Sequence, residues 1–247
     1  MNVSLLIPPA VGFLLNIILT PLIIRIAHKN NWYDERNHRK IHTEDTPRLG
    51  GVGIFAASTA AIVVGALIWP SGQAALPLAL PADASTGQIL LFLLPILAGG
   101  LIIHLMGLLD DFRNLRARTK FVIQILAAAV VTLGPFRLER LTIPFIWYTL
   151  ELGVFSYPVT ILWIAGVSNA LNFIDGVDGL AGGTVVIAAI FFSVIAILSG
   201  QVLVAMIMLG ILGSVLGFLA YNAPPARIFM GDSARTRWGT FSRSSRS

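Results

Sequence analysis

"ILLFLLPILAGGLIIHLMGLLDDFRNLRARTK", residues 89–120, decides the fold. No charged residue occurs from Ile89 to Leu109. Then Asp110 and Asp111 arrive together, and Arg113, Arg116, Arg118 and Lys120 follow at once. A membrane helix needs roughly 20 apolar residues to cross the hydrocarbon core. Ile89–Leu109 supplies them, and the sudden charge marks the lipid–water boundary. A loop rich in Lys and Arg belongs on the inner side.

The rest of the chain repeats this pattern. Its 247 residues are 56% hydrophobic and 12% charged, with a mean hydropathy of +0.82. A soluble domain carries about 25% charge, so a soluble fold or a large extramembrane domain is excluded. Apolar runs at Val3–Ile24, Val52–Trp69, Ile89–Leu109, Phe121–Pro135, Pro158–Leu171, Thr184–Leu198 and Val202–Ala220 predict an all-α, polytopic transmembrane helix bundle of about seven spans. Phe121–Pro135 and Pro158–Leu171 are short and are candidates for partial crossings. The N-terminal run has no basic residue before it and no small-residue cleavage site after it, so it reads as the first span rather than a signal peptide. There is no Cys, which excludes disulfides and thiolate metal sites. "LTIPFIWYTLELGVFSYP" (141–158) is β-branched and aromatic, and predicts a short outer strand pair or an interfacial aromatic belt.

With alternating crossings, Arg25, Lys29, Arg36, Arg39, Lys40 and Arg48 share a side with the bases of 110–120 and with Arg227, Arg235, Arg237, Arg243 and Arg246. That is fifteen of the seventeen basic residues; Arg137 and Arg140 are on the other side. The basic loops are therefore predicted to be cytoplasmic, in a multi-pass protein of the inner (plasma) membrane, with the N-terminus outside.

Five of the twelve acids sit at that same face, each with glycine close by: Asp110, Asp111, Asp175, Asp178 and Asp232. In "NALNFIDGVDGL" (169–180), helical spacing would align Asn172, Asp175 and Asp178 on one stripe, with Gly176, Gly179 and Gly182 on the next. The competing reading is a glycine-rich turn with Asp as turn former, and Asp232 in "GDS" has the same alternative. His104, inside a span, reads as a helix-packing group. Carboxylates facing one another repel unless a cation sits among them. The five acids are therefore expected to gather around one Mg²⁺, with Mn²⁺ as the second choice, because this ion takes oxygen ligands and substrate phosphates. Arg48, Arg113, Arg116, Lys120 and Arg227 are available to hold a polyanion. Together these residues predict phosphoryl transfer involving a phospholipid-like substrate. The rival class is an ion- or proton-coupled transporter, which would carry its acids nearer the bilayer midplane.

Four ordered motifs then resemble one family: "RKIHTEDTPRLGGVGIF" (39–55), "GLLDDFRNLRARTKFVIQ" (107–124), "NALNFIDGVDGLAGG" (169–183) and "RIFMGDS" (227–233). They look like the polyprenyl-phosphate N-acetylhexosamine-1-phosphate transferases, glycosyltransferase family 4. The resemblance implies transfer of a sugar 1-phosphate from a UDP-N-acetylhexosamine to polyprenyl phosphate on the cytoplasmic face. UMP is released, and the product begins cell-wall, peptidoglycan or lipopolysaccharide-type polysaccharides. It implies Asp110 and Asp111 as catalytic and metal-binding acids, and Asp232 as a metal ligand. It further implies Asn172, Asp175, Asp178, His42 and Arg48 as substrate-binding residues, to which the bases Arg116 and Lys120 are added by their charge; Thr46 and Pro47 belong to the same first-loop motif. "TPRLGG" is more similar to the branch that uses N-acetylglucosamine than to the muramyl-pentapeptide branch. Homodimers occur in the family, and no nucleic-acid partner is expected. The family pattern continues past "GDS" into further spans and a histidine-rich loop, whereas here Ala234 and Arg235 follow and no His lies after His104. The expectation is a transferase domain over 1–233, incomplete at its C-terminus, followed by an aberrant, disordered Arg/Ser-rich tail over 234–247, the whole being a truncated and inactive form in the alternative reading.

Overall fold

The computed structural model describes residues 3–30, 32, 46–68, 80, 84–113, 115–143, 148–175 and 177–231. Among these residues seven α-helices form where the apolar runs lie: α1 (Ile7–Lys29), α2 (Gly50–Leu67), α3 (Thr86–Arg113), α4 (Ala117–Thr132), α5 (Ser156–Ile174), α6 (Leu180–Leu198) and α7 (Val202–Asn222). Pro8 and Pro9 sit in the first turn of α1, where a missing N–H costs no helical hydrogen bond. Among the described residues six helices are long and apolar enough to cross a membrane; α4, at 16 residues, is not. A multi-pass membrane protein follows. Pro158–Leu171, short in sequence, lies within a 22-residue helical stretch from Gly153 to Ile174 and qualifies. α4 spans only about 24 Å at 1.5 Å per residue. The turn after it continues to Phe136, whose ring meets Phe92 of α3 edge-on at 4.8 Å, so the segment still reaches the far part of α3.

α7 is the central helix, with Phe218, Leu203 and Met206 fully buried. It runs alongside α1 at backbone contact. A methyl on Gly12 would lie 2.6 Å from Gly210 O, one on Gly217 would lie 2.7 Å from Phe13 O, and one on Gly213 would overlap the Pro9 backbone. Lipid gives no hydrophobic drive between helices, so close van der Waals approach and buried hydrogen bonds take its place. The bonds are here: Asn16 Nδ2 donates to Ser214 O (2.7 Å), Thr20 Oγ1 to Asn16 Oδ1 (3.0 Å), and Ser214 Oγ to Ile54 O of α2 (3.0 Å). α3, α4 and α5 pack in antiparallel succession. Asn169 Nδ2 donates to Gln124 Oε1 (2.8 Å), and His104 stacks on Phe55 at 4.5 Å to join α3 to α2. His104 is thus a packing group, as its place in a span suggested.

The outer segment is a hairpin of β1 (Arg140–Ile143) and β2 (Tyr148–Glu151), antiparallel, with Arg140 opposite Glu151 and Thr142 opposite Thr149. The strand-pair expectation is met. The alternation of helices puts the C-terminal ends of α1, α3, α5 and α7 beside the N-terminal ends of α2, α4 and α6. Trp32 meets Phe112 at 5.4 Å there, and Gly179 lies against Ala223. The hairpin is at the opposite end.

Candidate active site

Four separated segments meet at the first of these ends. The stretch after α7 runs back along the residues before α2. Phe229 N–H donates to Pro47 O (2.8 Å), Gly50 N–H to Phe229 O (3.0 Å) and Gly51 N–H to Met230 O (2.6 Å). A helix begins with unsatisfied N–H groups; the apolar Leu49 side chain caps none of those of α2, its carbonyl taking only the Val52 N–H (3.1 Å). Carbonyls from near the far end of the chain cap them instead. Thr46, Pro47 and Ile228 are buried by this pairing, and Arg48 is half-buried.

Asn222, the last residue of α7, holds two further pieces. Its Oδ1 accepts the Gly179 N–H (3.1 Å) and its Nδ2 donates to Ile228 O (2.8 Å). Asp178 Oδ2 accepts the Ala226 N–H at 3.2 Å. The loop between α5 and α6 is thereby fastened to the segment after α7. Its backbone is not helical: α5 ends at Ile174, Asp175 follows it as a turn residue, and Gly179 has φ +72. The expected single helical stripe of Asn172, Asp175 and Asp178 is therefore corrected. The turn reading of "IDGVDG" holds, because a positive φ is accessible to glycine at no steric cost. Asn172, on α5, and Asp175, just past its end, are half-buried near this loop.

The acid pair divides its work. Asp110 is 4% exposed; its Oδ1 accepts the Leu115 N–H at 2.7 Å and its Oδ2 pairs with Lys120 Nζ. This ties the α3–α4 turn shut and brings Lys120, read from sequence as a polyanion ligand, onto a carboxylate. Asp111 faces elsewhere. A methyl on Gly231 would lie 2.6 Å from Asp111 Oδ2, and Gly231 takes φ +95. A methyl there would also overlap the Arg48 carbonyl oxygen, so the chain passes Asp111 with its backbone alone. Arg116, immediately before α4, is exposed.

His42 and Asp232 lie outside the described residues. Among those described, no three His, Cys, Asp or Glu side chains are grouped closely enough to hold a metal. Of the acids expected to gather around one cation, Asp110 is engaged by Lys120 and Asp178 by the Ala226 N–H. Two carboxylates suffice when phosphates complete the shell, and Asp111 beside position 231 suits that role. Sequence reasoning missed Asn222. Its one signal was an amide at the end of an apolar run, directly before "APPARIF", where no helix continues. The acids end helices rather than interrupt them, which disfavours the transporter reading.

The description "Glycosyl transferase family 4" matches residues 93–243. A "Probable undecaprenyl-phosphate N-acetylglucosaminyl 1-phosphate transferase" of Bacillus subtilis (strain 168) is 36% identical over 223 residues, covering 90% of this chain and 57% of that protein. A "Phospho-N-acetylmuramoyl-pentapeptide-transferase" of Clostridium beijerinckii is 34% identical over 256 residues, covering 96% and 72%. One of the same description from Listeria monocytogenes is 34% identical over 246 residues, covering 93% and 70%. The chain thus spans a little over half of the Bacillus relative's length.

Proposed function

The chain belongs to glycosyl transferase family 4, and from that premise we propose that it serves transfer of N-acetylglucosamine 1-phosphate from UDP-N-acetylglucosamine to polyprenyl phosphate at the cytoplasmic face. In this reaction a phosphate oxygen of the lipid attacks the β-phosphorus of the nucleotide sugar. The bond from that phosphorus to the bridging oxygen breaks, UMP leaves, and a polyprenyl diphosphate sugar remains.

The observation that carries the reading is the meeting of Asp111, Gly231, Arg48 and the 175–179 loop at one membrane mouth. Only there do a lipid phosphate, confined to the boundary, and a soluble nucleotide reach the same residues. Asp111 and Asp232, with Asp110 behind them, would hold Mg²⁺, or Mn²⁺ in its place, which when bound neutralises diphosphate charge. Arg116, exposed at the rim, and Arg48 supply positive charge toward the nucleotide. Lys120 holds the Asp110 carboxylate. The basic residues crowding this end support its assignment to the cytoplasm. The first-loop "TPRLGG" and the Bacillus relative's description both favour N-acetylglucosamine as the sugar.

The test uses membranes carrying this chain, with the full Bacillus relative as positive control. They are incubated with polyprenyl phosphate, Mg²⁺ and a panel of UDP-sugars, and UMP release is followed. Asp110→Asn, Asp111→Asn and Asp232→Asn should each remove most of it. Undiminished release in all three removes the mechanism; strong preference for another UDP-sugar removes the sugar assignment.

A further inference from the structure

The end of the bundle away from the acids holds a second polar site. Arg137, Glu139, Arg140, Glu151, Gly153 and Ser156 line a cavity of about 450 Å³ between the hairpin and the start of α5. Two polar atoms of this lining have no hydrogen-bond partner among the described residues: Ser156 Oγ, on a residue only 3% exposed, and Arg137 Nε. The rest of the Arg137 guanidinium is engaged. One terminal nitrogen donates to the Tyr157 hydroxyl, and the other lies 3.4 Å from Glu139 Oε1. The group also lies over the Tyr157 ring, 4.8 Å from its centre. A buried donor without an acceptor is costly, and native structures seldom keep one without a reason.

The lining is charge-balanced, with two arginines and two glutamates. Arg140 and Glu151 face each other across the hairpin at 3.5 Å, both largely exposed, an arrangement that holds neither group firmly. A simple anion would meet the glutamates, and a simple cation the arginines. A ligand carrying both charges suits all four. The cavity's depth in the membrane is set by α5. Ser156 opens this helix and Asp175 follows its end, so the two are about 28 Å apart at 1.5 Å per residue. That is close to the hydrocarbon thickness of about 30 Å. With the acid mouth at one lipid–water boundary, the cavity lies at the other. Val154 and Phe155, 83% and 73% exposed, lie in sequence between its lining residues Gly153 and Ser156, and the exposed Leu141 follows its lining residue Arg140, so apolar surface suited to acyl chains adjoins it along the chain.

We propose that this cavity binds the headgroup of an aminophospholipid of the leaflet opposite the acid site. The phosphate takes hydrogen bonds from Ser156 Oγ and Arg137 Nε, and the primary ammonium donates to Glu139 and Glu151. The site is independent of the transferase reading and stands or falls separately.

The test places the full chain in nanodiscs of equimolar phosphatidylethanolamine, phosphatidylcholine and phosphatidylglycerol. Lipids carried into detergent with the protein are counted by native mass spectrometry. Phosphatidylethanolamine should be enriched over both others. Ser156→Ala and Arg137→Gln should each lower its retention about tenfold, the worth of one hydrogen bond to a charged group. Glu139→Gln with Glu151→Gln should abolish the preference over phosphatidylcholine. Arg137 also braces Tyr157, so Ser156→Ala is the cleaner variant: in lipid-free detergent its Tm should equal or exceed that of the parent. Retained lipid of bulk composition, or a preference that survives both Ser156→Ala and Arg137→Gln, overturns the proposal. Displacement by soluble phosphoethanolamine at the lipid's own concentration overturns the membrane source.

Discussion

Replacing Lys120 by Met removes a charge while keeping most of the aliphatic stem. Asp110, 4% exposed, then keeps the Leu115 N–H at 2.7 Å on its carboxylate but loses the lysine ammonium. Removing one partner of a buried pair costs about 3–5 kcal/mol, because the other charge is left without compensation. The Lys120 side chain is 19% exposed and the Leu115 bond survives, so the lower end applies, about 3 kcal/mol. For a chain of this size each kcal/mol moves Tm by roughly 2–4 °C, giving a loss of about 6–12 °C. The assay is thermal unfolding in one detergent at fixed concentration, followed by circular dichroism. The double variant Asp110→Asn with Lys120→Met is the companion. It removes both charges and leaves an amide oxygen for the Leu115 N–H, so it should recover at least half of the lost Tm. Melting of Lys120→Met within about 1 °C of the parent would refute the assignment of this pair as the lock on the α3–α4 turn.

Three further outcomes are expected. Asn222→Ala strands the Gly179 N–H and the Ile228 carbonyl together, at a cost of about 2–4 kcal/mol; limited proteolysis should then cut within 175–179 far faster than in the parent. Gly231→Ala forces a methyl toward Asp111 at φ +95, a strain of about 1–3 kcal/mol. UMP release should fall much further than Tm, and the reverse order would contradict the placement of Gly231 in the site. Gly213→Val drives a side chain into the Pro9 backbone and should destabilise by about 1–3 kcal/mol or more. Gly107→Ala, with nothing within 4 Å of the added methyl, is the control and should melt at or above the parent temperature.

Much of this architecture was legible because membrane insertion leaves a one-dimensional trace. Ile89–Leu109 has to be helical, since backbone groups in lipid find no other partners. Asp110 and Asp111 stand at a boundary because charge is excluded from the run before them. The hairpin was legible in the β-branched and aromatic residues of 141–158. The site was legible only as a set of residues on one face. "IDGVDG" supported two readings, a helical stripe and a turn, and local spacing could not separate them. The choice lies with Asn222, whose amide holds Gly179 from a distant helix. Lys120 was legible as a charge of this face, but its pairing with Asp110 was not. Nothing within eleven residues of sequence says whether its ammonium turns to water or to a buried carboxylate.

By itself, then, the sequence determined how many apolar segments the chain has, which ends of them share a face, and that acids and arginines crowd one of those faces. Hydropathy and charge act residue by residue, and order along the chain carries them. The tertiary structure alone decided that Asp110 serves Lys120 and the Leu115 N–H, that Asp111 lies against Gly231, and that the carbonyls of Phe229 and Met230 cap α2. Those pairings depend on the direction of individual N–H, C=O and carboxylate groups after the helices have packed, a quantity that no local pattern of residue types contains.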